Sequence, residues 1–497
     1  MQLIKEPSVA NPAPATIKQP RGLYILFFTE LWERYGFYTI QALLVLFLTE
    51  HFLLSDKKAY GIFGAYGAMI YATPVIGGYI ADKILGFRRA IYFGGFLFIC
   101  GYSLLALLDR GIWFYFALSC LICGNGFFKS NVSSLLGRFY SENDVRRDAG
   151  FTLFYMGINI GSFLATLLGA GMAARYGWNV AFGIAAIGMV IGMIVFTLGQ
   201  KQIGQIGDPP KLATLKKKRL GVLNEIWVFV GTIIIIGTLS CLLQFPDIVR
   251  WGLLFFGIAT IFYVLTTSIQ LDGYQHRRVI ALLILILFSV IFWSLYYQTF
   301  SSITLFIDRV VNRHVFGVTI PTAMFQSISP TIIILLSPIL SWVWLTLAKR
   351  GIGLSAPMKF ALGILQMAIG FLILTLAVYF DSDAGKIAAA WMLLIFFSQT
   401  MGELFLSPIG LSTVTTLAPA KSTGLMMGVW FLSLGAANAI AGWIADFTAI
   451  PDSMTNPILI EHHYAHAYKM FGLWGVTFAV LLMLLTPMLK RMMGMVR

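Results

Sequence analysis

The 497-residue chain is 58% hydrophobic and only 11% charged, with a formal net charge of +14. Charged residues make up about a quarter of a typical soluble domain, so this composition excludes a water-soluble protein and predicts one embedded in lipid. In such a protein, Lys and Arg collect in cytoplasmic loops, so the basic balance indicates topology and we expect no nucleic-acid partner.

Apolar runs long enough to span a bilayer divide the chain in order. Residues 1–21 are polar, lack the apolar core of a signal peptide, and are predicted to form a cytoplasmic tail. Residues 22–199 contain six runs and predict an N-terminal six-helix bundle. A basic cytoplasmic linker, 200–223, precedes two extra transmembrane helices in 224–271, which are apolar nearly all round and receive no substrate role. Residues 272–497 contain six further runs and predict a C-terminal six-helix bundle with a short cytoplasmic tail.

The distribution of basic residues orients these fourteen predicted helices. A cytoplasmic N-terminus assigns most of the 35 Lys and Arg residues to cytoplasmic loops, which places both termini inside. We therefore expect a multi-pass protein of the plasma membrane, in a bacterium the inner membrane. Two six-helix bundles joined by a basic linker are typical of transporters whose halves rock around a site at the bilayer midplane.

One loop motif supports this architecture. After the second apolar run the chain has Gly78, Asp82, Gly86, Arg88 and Arg89 in the pattern G-x-x-x-D-x-x-x-G-x-R-R. This pattern resembles the loop that follows the second helix in the major facilitator superfamily. The fold expected is thus an all-α polytopic membrane protein of that superfamily, with twelve core helices and two extra helices between the halves.

Five charges are predicted to lie well inside the membrane: Glu30, Glu33, Arg34, Lys129 and Glu403. Each costs about 2.5–3.5 kcal/mol at a helix centre, so such residues persist where they pair, face water or function. Glu30 and Arg34 are spaced to meet on one helix face. We hypothesise that Lys129 and Glu403 pair across the two halves. The alternative for the charges of the first helix is an ion pair that only holds helices together.

The predicted membrane-spanning segments show no pattern typical of a catalytic or metal site. The six histidines fall near helix ends or in loops, so proton coupling would depend on carboxylates. Without a nucleophile and base or metal ligands at membrane depth, an intramembrane enzyme is disfavoured. Neither the Cys120-x-x-Cys123 pair nor the cluster of His462, His463 and His466, predicted to lie in an outer loop, has the ligands of a metal site. We expect no cofactor other than the proton.

Four motifs together resemble the proton-dependent oligopeptide transporter (POT/PTR2) family. They are E-x-x-E-R-[FY] at Glu30–Tyr35, G-N-G-x-F-K at Gly124–Lys129, F-Y-x-x-I-N-x-G at Phe154–Gly161, and G-E-L-x-x-S-P at Gly402–Pro408. The resemblance implies import of di- and tripeptides with protons. It implies proton coupling by Glu30, Glu33, Arg34, Lys129 and Glu403. It also implies a peptide site formed by Arg34, Tyr38, Gln41, Lys129, Tyr155, Asn159, Trp293, Tyr297, Ser329, Glu403, Ser407 and Trp430. We expect the protein to be a monomer.

Three positions depart from the family pattern. Many members have Arg where this chain has Gln41 and an acid near Tyr297, and these can pair across the outer gate. Here both are neutral, which predicts an outer gate closed by hydrogen bonds and packing. Ser329 stands where members often have Asn, which removes one amide from the expected amine site. A proton-coupled transporter of another small organic solute, such as an organic anion or a peptide-like drug, is therefore the alternative function.

Overall fold

The structure is a computed structural model that describes residues 18–108, 110–141, 144, 146–208, 218–219, 222–350, 353–419 and 422–494. Most of the predicted N-terminal tail and the central part of the basic linker lie outside these residues. The remaining chain is almost entirely helical.

Thirteen helices in the described ranges are long and apolar enough to cross a membrane. The first helix is of similar length, but Arg21, Glu30, Glu33 and Arg34 lower its hydropathy. We number these fourteen helices α1 to α14. They are α1 Arg21–Leu46, α2 Asp56–Leu85, α3 Phe87–Leu107, α4 Ile112–Gly137, α5 Arg147–Tyr176, α6 Trp178–Leu198, α7 Asn224–Leu242, α8 Pro246–Ser268, α9 Gly273–Val310, α10 Thr322–Trp344, α11 Ala356–Asp381, α12 Trp391–Leu417, α13 Gly424–Thr448 and α14 Pro457–Met492.

The helices differ from the predicted runs at two places. α14 begins at Pro457, because the Asn456 side chain accepts a hydrogen bond from the Ile458 N–H at 2.9 Å and Pro suits the first helical position. The three clustered histidines therefore lie on α14, and their predicted placement in a loop is wrong. α9 is interrupted by a 3₁₀ turn at Tyr297–Phe300 and resumes as an α-helix over Ser302–Val310.

Buried hydrophobic side chains form two clusters, one centred on α1–α6 and one on α9–α14. The first cluster also includes Tyr297, Phe300, Ala437 and Ala441 from the second bundle. We call the side of the protein that carries α1's first residue and α14's last residue the terminal face, and the opposite side the distal face. The shared cluster indicates that the bundles pack together in the half of the protein nearer the distal face.

The superfamily-type loop between α2 and α3 lies at the terminal face. Gly86 has a φ of +75°, a left-handed conformation that favours glycine. Arg88 pairs with Asp208 at 3.1 Å, and Arg89 pairs with Glu225 of α7 at 2.7 Å. The basic pair of the motif thus connects the first bundle to both ends of the linker.

Candidate functional site

Four of the five predicted buried charges form one cluster between α1 and α4. The Arg34 guanidinium donates to both oxygens of Glu33 at 2.5 Å and lies 3.6 Å from Glu30. The Lys129 ammonium donates to the same Glu30 oxygen at 2.5 Å. Arg34 also donates to Asn125 on α4 at 3.3 Å. Both acids are fully buried, so each is stabilised by a cation rather than by water.

Close helix packing brings this cluster next to α5. A Cβ added at Gly161 would lie 2.6 Å from the Leu31 carbonyl oxygen and 3.0 Å from the Arg34 Cβ. Only glycine permits this close approach of α5 to α1. The Arg34 guanidinium also lies over the Phe37 ring, 4.4 Å from its centroid. The position of Arg34 is therefore fixed by packing from two sides.

A cavity of about 70 Å³ lies between the two bundles, close to this cluster. Five residues predicted for the peptide site line it: Tyr38 on α1, Tyr155 and Asn159 on α5, Ser329 on α10 and Glu403 on α12. The residues that complete the lining were not predicted from the sequence: Ile158, Ser162, Thr166, Tyr296, Thr299, Phe300, Gln326, Pro330 and Ile333. They are neutral and occur in otherwise apolar runs, so charge counting gave no signal for them.

The hypothesised ion pair between Lys129 and Glu403 is not present. Lys129 is paired with Glu30 of its own bundle instead. Glu403 has the Tyr296 hydroxyl as its hydrogen-bonding neighbour, and its second oxygen is buried without a partner among the described residues. Lys129 pairs with Glu30 because α1 packs beside α4, whereas Glu403 lies across the cavity. The cluster and Glu403 are thus separate charged poles on opposite bundles.

Other predicted site residues do not line this cavity. Gln41 is buried, and its side-chain oxygen has no partner in the described part of the chain. Trp293 and Tyr297 pack on each other with ring centroids 5.9 Å apart. Trp430 is buried against Gly410. Ser407 is partly buried on α12 and also does not line the cavity.

An ion pair joins the bundles at the distal face. Arg309, in the last turn of α9, donates to both oxygens of Asp56 at 2.5 and 2.7 Å. Asp56, in the first turn of α2, also accepts from the Ile450 N–H at 3.0 Å. The expectation of closure without charges is therefore wrong. Gln41 and Tyr297 are neutral, but a different acid and a different arginine supply the pair.

Further contacts hold the distal face closed. A Cβ added at Gly64 would lie 3.0 Å from the Asn438 carbonyl oxygen, so α2 and α13 are in near-backbone contact. Tyr60 accepts a hydrogen bond from Thr448 at 3.3 Å. The Lys386 ammonium, in the loop before α12, donates to the Arg309 carbonyl at 2.6 Å. Burial and the nearby Arg313 lower the pKa of this lysine.

The extra helix α8 contributes a buried arginine to the same region. Arg250 is only 3% exposed and lies 3.2 Å from Asp247 and 3.7 Å from Asp446 of α13. Added Cβ atoms at Gly61 of α2 and Gly442 of α13 would lie 3.3 and 2.8 Å from its guanidinium. The extra pair therefore contacts both bundles through a charge that the sequence analysis did not identify.

The central cavity is accessible from the terminal face. Tyr155, which lines it near the terminal end of α5, is 49% exposed, and the Lys129 side chain is 30% exposed. Together with the closed distal face, this is the arrangement of a transporter open on one side. Among the described residues, no group of three or more His, Cys, Asp or Glu side chains could hold a metal ion.

Two six-helix bundles around a central cavity, buried charges on both and closure on one face define a secondary transporter of the major facilitator superfamily. Comparison with known proteins gives the family. The POT family profile matches residues 88–460. The chain belongs to the POT family.

Named relatives agree along nearly the whole chain. It is 34% identical to dipeptide and tripeptide permease A of Escherichia coli K12 over 98% of this chain and 97% of the relative. It is 36% identical to the protein of that name in Klebsiella pneumoniae strain 342, with the same coverage.

Solved structures give the same result. A crystal structure of the peptide transporter POT in complex with sulfate superposes with a TM-score of 0.84, at 31% identity and 96% coverage of both chains. A POT family transporter in complex with 5-aminolevulinic acid gives a TM-score of 0.82, at 26% identity over 96% of this chain and 98% of the other.

Proposed function

We propose that this protein is a proton-coupled symporter that imports di- and tripeptides by alternating access across the bacterial inner membrane, with both termini in the cytoplasm. The observation that carries the proposal is the separation of buried charge into two poles. Arg34 and Lys129 belong to one bundle, and Glu403 belongs to the other. A peptide zwitterion has a carboxylate for the first pole and an ammonium for the second.

The charge balance of the cluster suggests how a proton and a peptide are coupled. Glu30, Glu33, Arg34 and Lys129 sum to zero when all four are ionised, and each cation is committed to an acid. Protonation of Glu30 would release Lys129 and leave one net positive charge. That charge would attract the peptide carboxylate, so proton uptake favours substrate binding. The proton is thus the coupling ion, and the proposal needs no other cofactor.

Both bundles, the cluster and the cavity are parts of a single chain, so we take the transporting unit to be a monomer in the lipid bilayer. The inward-facing arrangement follows from cytoplasmic termini, since the cavity is accessible from the terminal face. The relatives named as permeases support the substrate class.

Uptake of labelled alanyl-alanine into proteoliposomes, with and without an inward proton gradient, tests the proposal. Accumulation only with the gradient, abolished by a protonophore, is expected. Equal uptake with and without the gradient would contradict proton coupling. No uptake under either condition would contradict peptides as the substrate. Free alanine serves as the competitor that should not inhibit.

A second solute class has one supporting observation. The structurally similar POT family transporter was solved in complex with 5-aminolevulinic acid, which also carries an ammonium and a carboxylate. The alternative is therefore proton-coupled transport of another small amino-acid-like solute on the same two poles. Stronger inhibition of uptake by 5-aminolevulinic acid than by any dipeptide would favour it.

A further inference from the structure

We propose that Gln326 is a substrate-binding residue whose side-chain oxygen accepts a hydrogen bond from the peptide ammonium, a role that deepens the proposed function and rests on it. Gln326 lines the central cavity together with Glu403 and Ser329. It is only 2% exposed, and its Oε1 has no hydrogen-bond partner among the residues that the structure describes. A buried amide oxygen without a hydrogen-bond partner, on a side chain that lines a cavity, is an acceptor in need of a donor.

A neighbouring hydroxyl fixes the orientation of this amide. Thr304 donates its hydroxyl hydrogen to the Thr299 carbonyl at 2.9 Å. The same hydroxyl oxygen is 2.9 Å from the Gln326 Nε2 and can therefore only accept from it. Reversing the amide would place two acceptors against each other. The amide nitrogen is thus held by Thr304, and the oxygen is left as the free group.

The position of Gln326 also complements the short side chain at Ser329. Residues 326 and 329 are one helical turn apart and line the same cavity. A serine hydroxyl is shorter than an Asn amide would be at this position, so it reaches less far into the cavity. The longer Gln326 side chain supplies an amide oxygen from the preceding turn.

The ammonium is the donor that best fits this oxygen. It has three N–H groups, and Glu403, lining the same cavity, can accept one of them. A neutral acceptor beside the carboxylate adds a directed contact without adding a second buried charge. Gln326 would therefore select ligands with a free amino end.

The test compares two ligands in the full-length protein. Alanyl-alanine has the free amine, and propionyl-alanine has the same amide and carboxylate without it. Gln326→Met keeps side-chain length and removes the acceptor, and Gln326→Asn keeps the amide but shortens it. We expect each variant to raise KM for alanyl-alanine by about tenfold, with kcat within about twofold and binding of propionyl-alanine unchanged.

Two further variants separate binding from structure. Thr304→Val removes the hydroxyl that holds the amide nitrogen and is expected to raise KM less than Gln326→Met. Ser329→Asn in the Gln326→Met background is expected to recover most of the lost affinity for alanyl-alanine. A purely structural role would affect both ligands equally and would not be rescued at 329.

The outcomes distinguish the two proposals. If the wild-type protein neither binds nor transports alanyl-alanine, the proposed function fails. If it does, but the Gln326 variants leave KM unchanged or weaken both ligands alike, the role of Gln326 is overturned. If Gln326→Met does not fold, the KM of Gln326→Asn for alanyl-alanine tests the role of Gln326, because that variant retains a polar amide.

Discussion

Asp56 and Arg309 lie 253 positions apart in the chain and form a two-point ion pair between the two bundles. Asp56 is 5% exposed and is further held by the Ile450 N–H and by its place at the N-terminus of α2. Because the pair spans the bundles, it exists only while the distal face is closed. Its energy therefore contributes to the equilibrium between the two open states.

Breaking this pair should open the distal face. Asp56→Asn leaves the partly buried Arg309 without its partner, and Arg309→Gln leaves the buried Asp56 without its own, at a cost of roughly 1–3 kcal/mol in the closed state only. A cysteine at Asn438, buried where α2 meets α13, reports opening in a protein whose four native cysteines are replaced. We expect an impermeant maleimide to label it about tenfold faster or more in either variant.

The charge exchange Asp56→Arg with Arg309→Asp should return labelling toward the parent rate. Asp308→Asn is the matched control, because Asp308 pairs with Arg313 within one bundle, at 3.1 Å. Unchanged labelling in all the Asp56 and Arg309 variants would show that packing alone closes this face.

Glu30 should be the proton-sensitive member of the charged cluster. It contacts both Lys129 and Arg34, so its neutralisation releases a cation. Glu30→Gln is expected to abolish gradient-driven accumulation while exchange of labelled for unlabelled peptide continues. Lys129→Gln should lose accumulation as well, whereas Lys83→Gln, exposed at the terminal end of α2, should behave as wild type. Normal accumulation by Glu30→Gln would remove this residue from the coupling mechanism.

The sequence predicted the cluster because lipid makes charges expensive. Five charges stood out against apolar runs, and the spacing of Glu30 and Arg34 predicted that they meet, which the 3.6 Å distance confirms. The positions of the helices were predicted from the same apolar runs. The partner of Lys129 was not predictable in this way, because three buried acids were available and only the packing of α1 on α4 selects Glu30.

Residues at helix ends gave a weaker signal. Asp56 and Arg309 lie at the ends of apolar runs, where a charge costs little, so nothing distinguished them from ordinary surface residues. Arg250 was overlooked because it is one cation in a helix that is otherwise apolar. Gln326 carries no charge. Its importance depends on which of its two amide atoms is satisfied, and only the neighbouring Thr304 shows that.

Arg250 should stabilise the contact between α8 and both bundles. Arg250→Met leaves Asp446 without its cation and loosens the contact of α8 with α2 and α13. We expect a lower apparent melting temperature in detergent and faster labelling of the cysteine at 438. Arg89→Met on α3 is the matched control, because Arg89 pairs with Glu225 of the other extra helix, α7. Its pair with Glu225 is more exposed and is worth about 0–1 kcal/mol. Equal effects of the two variants would mean that α8 has no special role at the distal face.

Gly77 should be among the least replaceable residues of the first bundle. A Cβ there would lie 2.0 Å from the Gly126 carbonyl oxygen, a backbone atom that cannot rotate away. Gly77→Ala must therefore push α2 from α4, beside Asn125 and Lys129, at a cost of about 1–3 kcal/mol or more. We expect a lower apparent melting temperature and weaker peptide uptake per folded molecule.

Gly231→Ala on α7 provides the comparison, because nothing lies within 4 Å of the added Cβ. Alanine favours helix over glycine by up to about 1 kcal/mol, so this variant should be at least as stable as wild type. Both are measured by tryptophan fluorescence during heating at one scan rate. If the two variants have the same apparent melting temperature, α2 and α4 are not in the backbone contact described. The position of Lys129 beside Glu30 would then need another explanation.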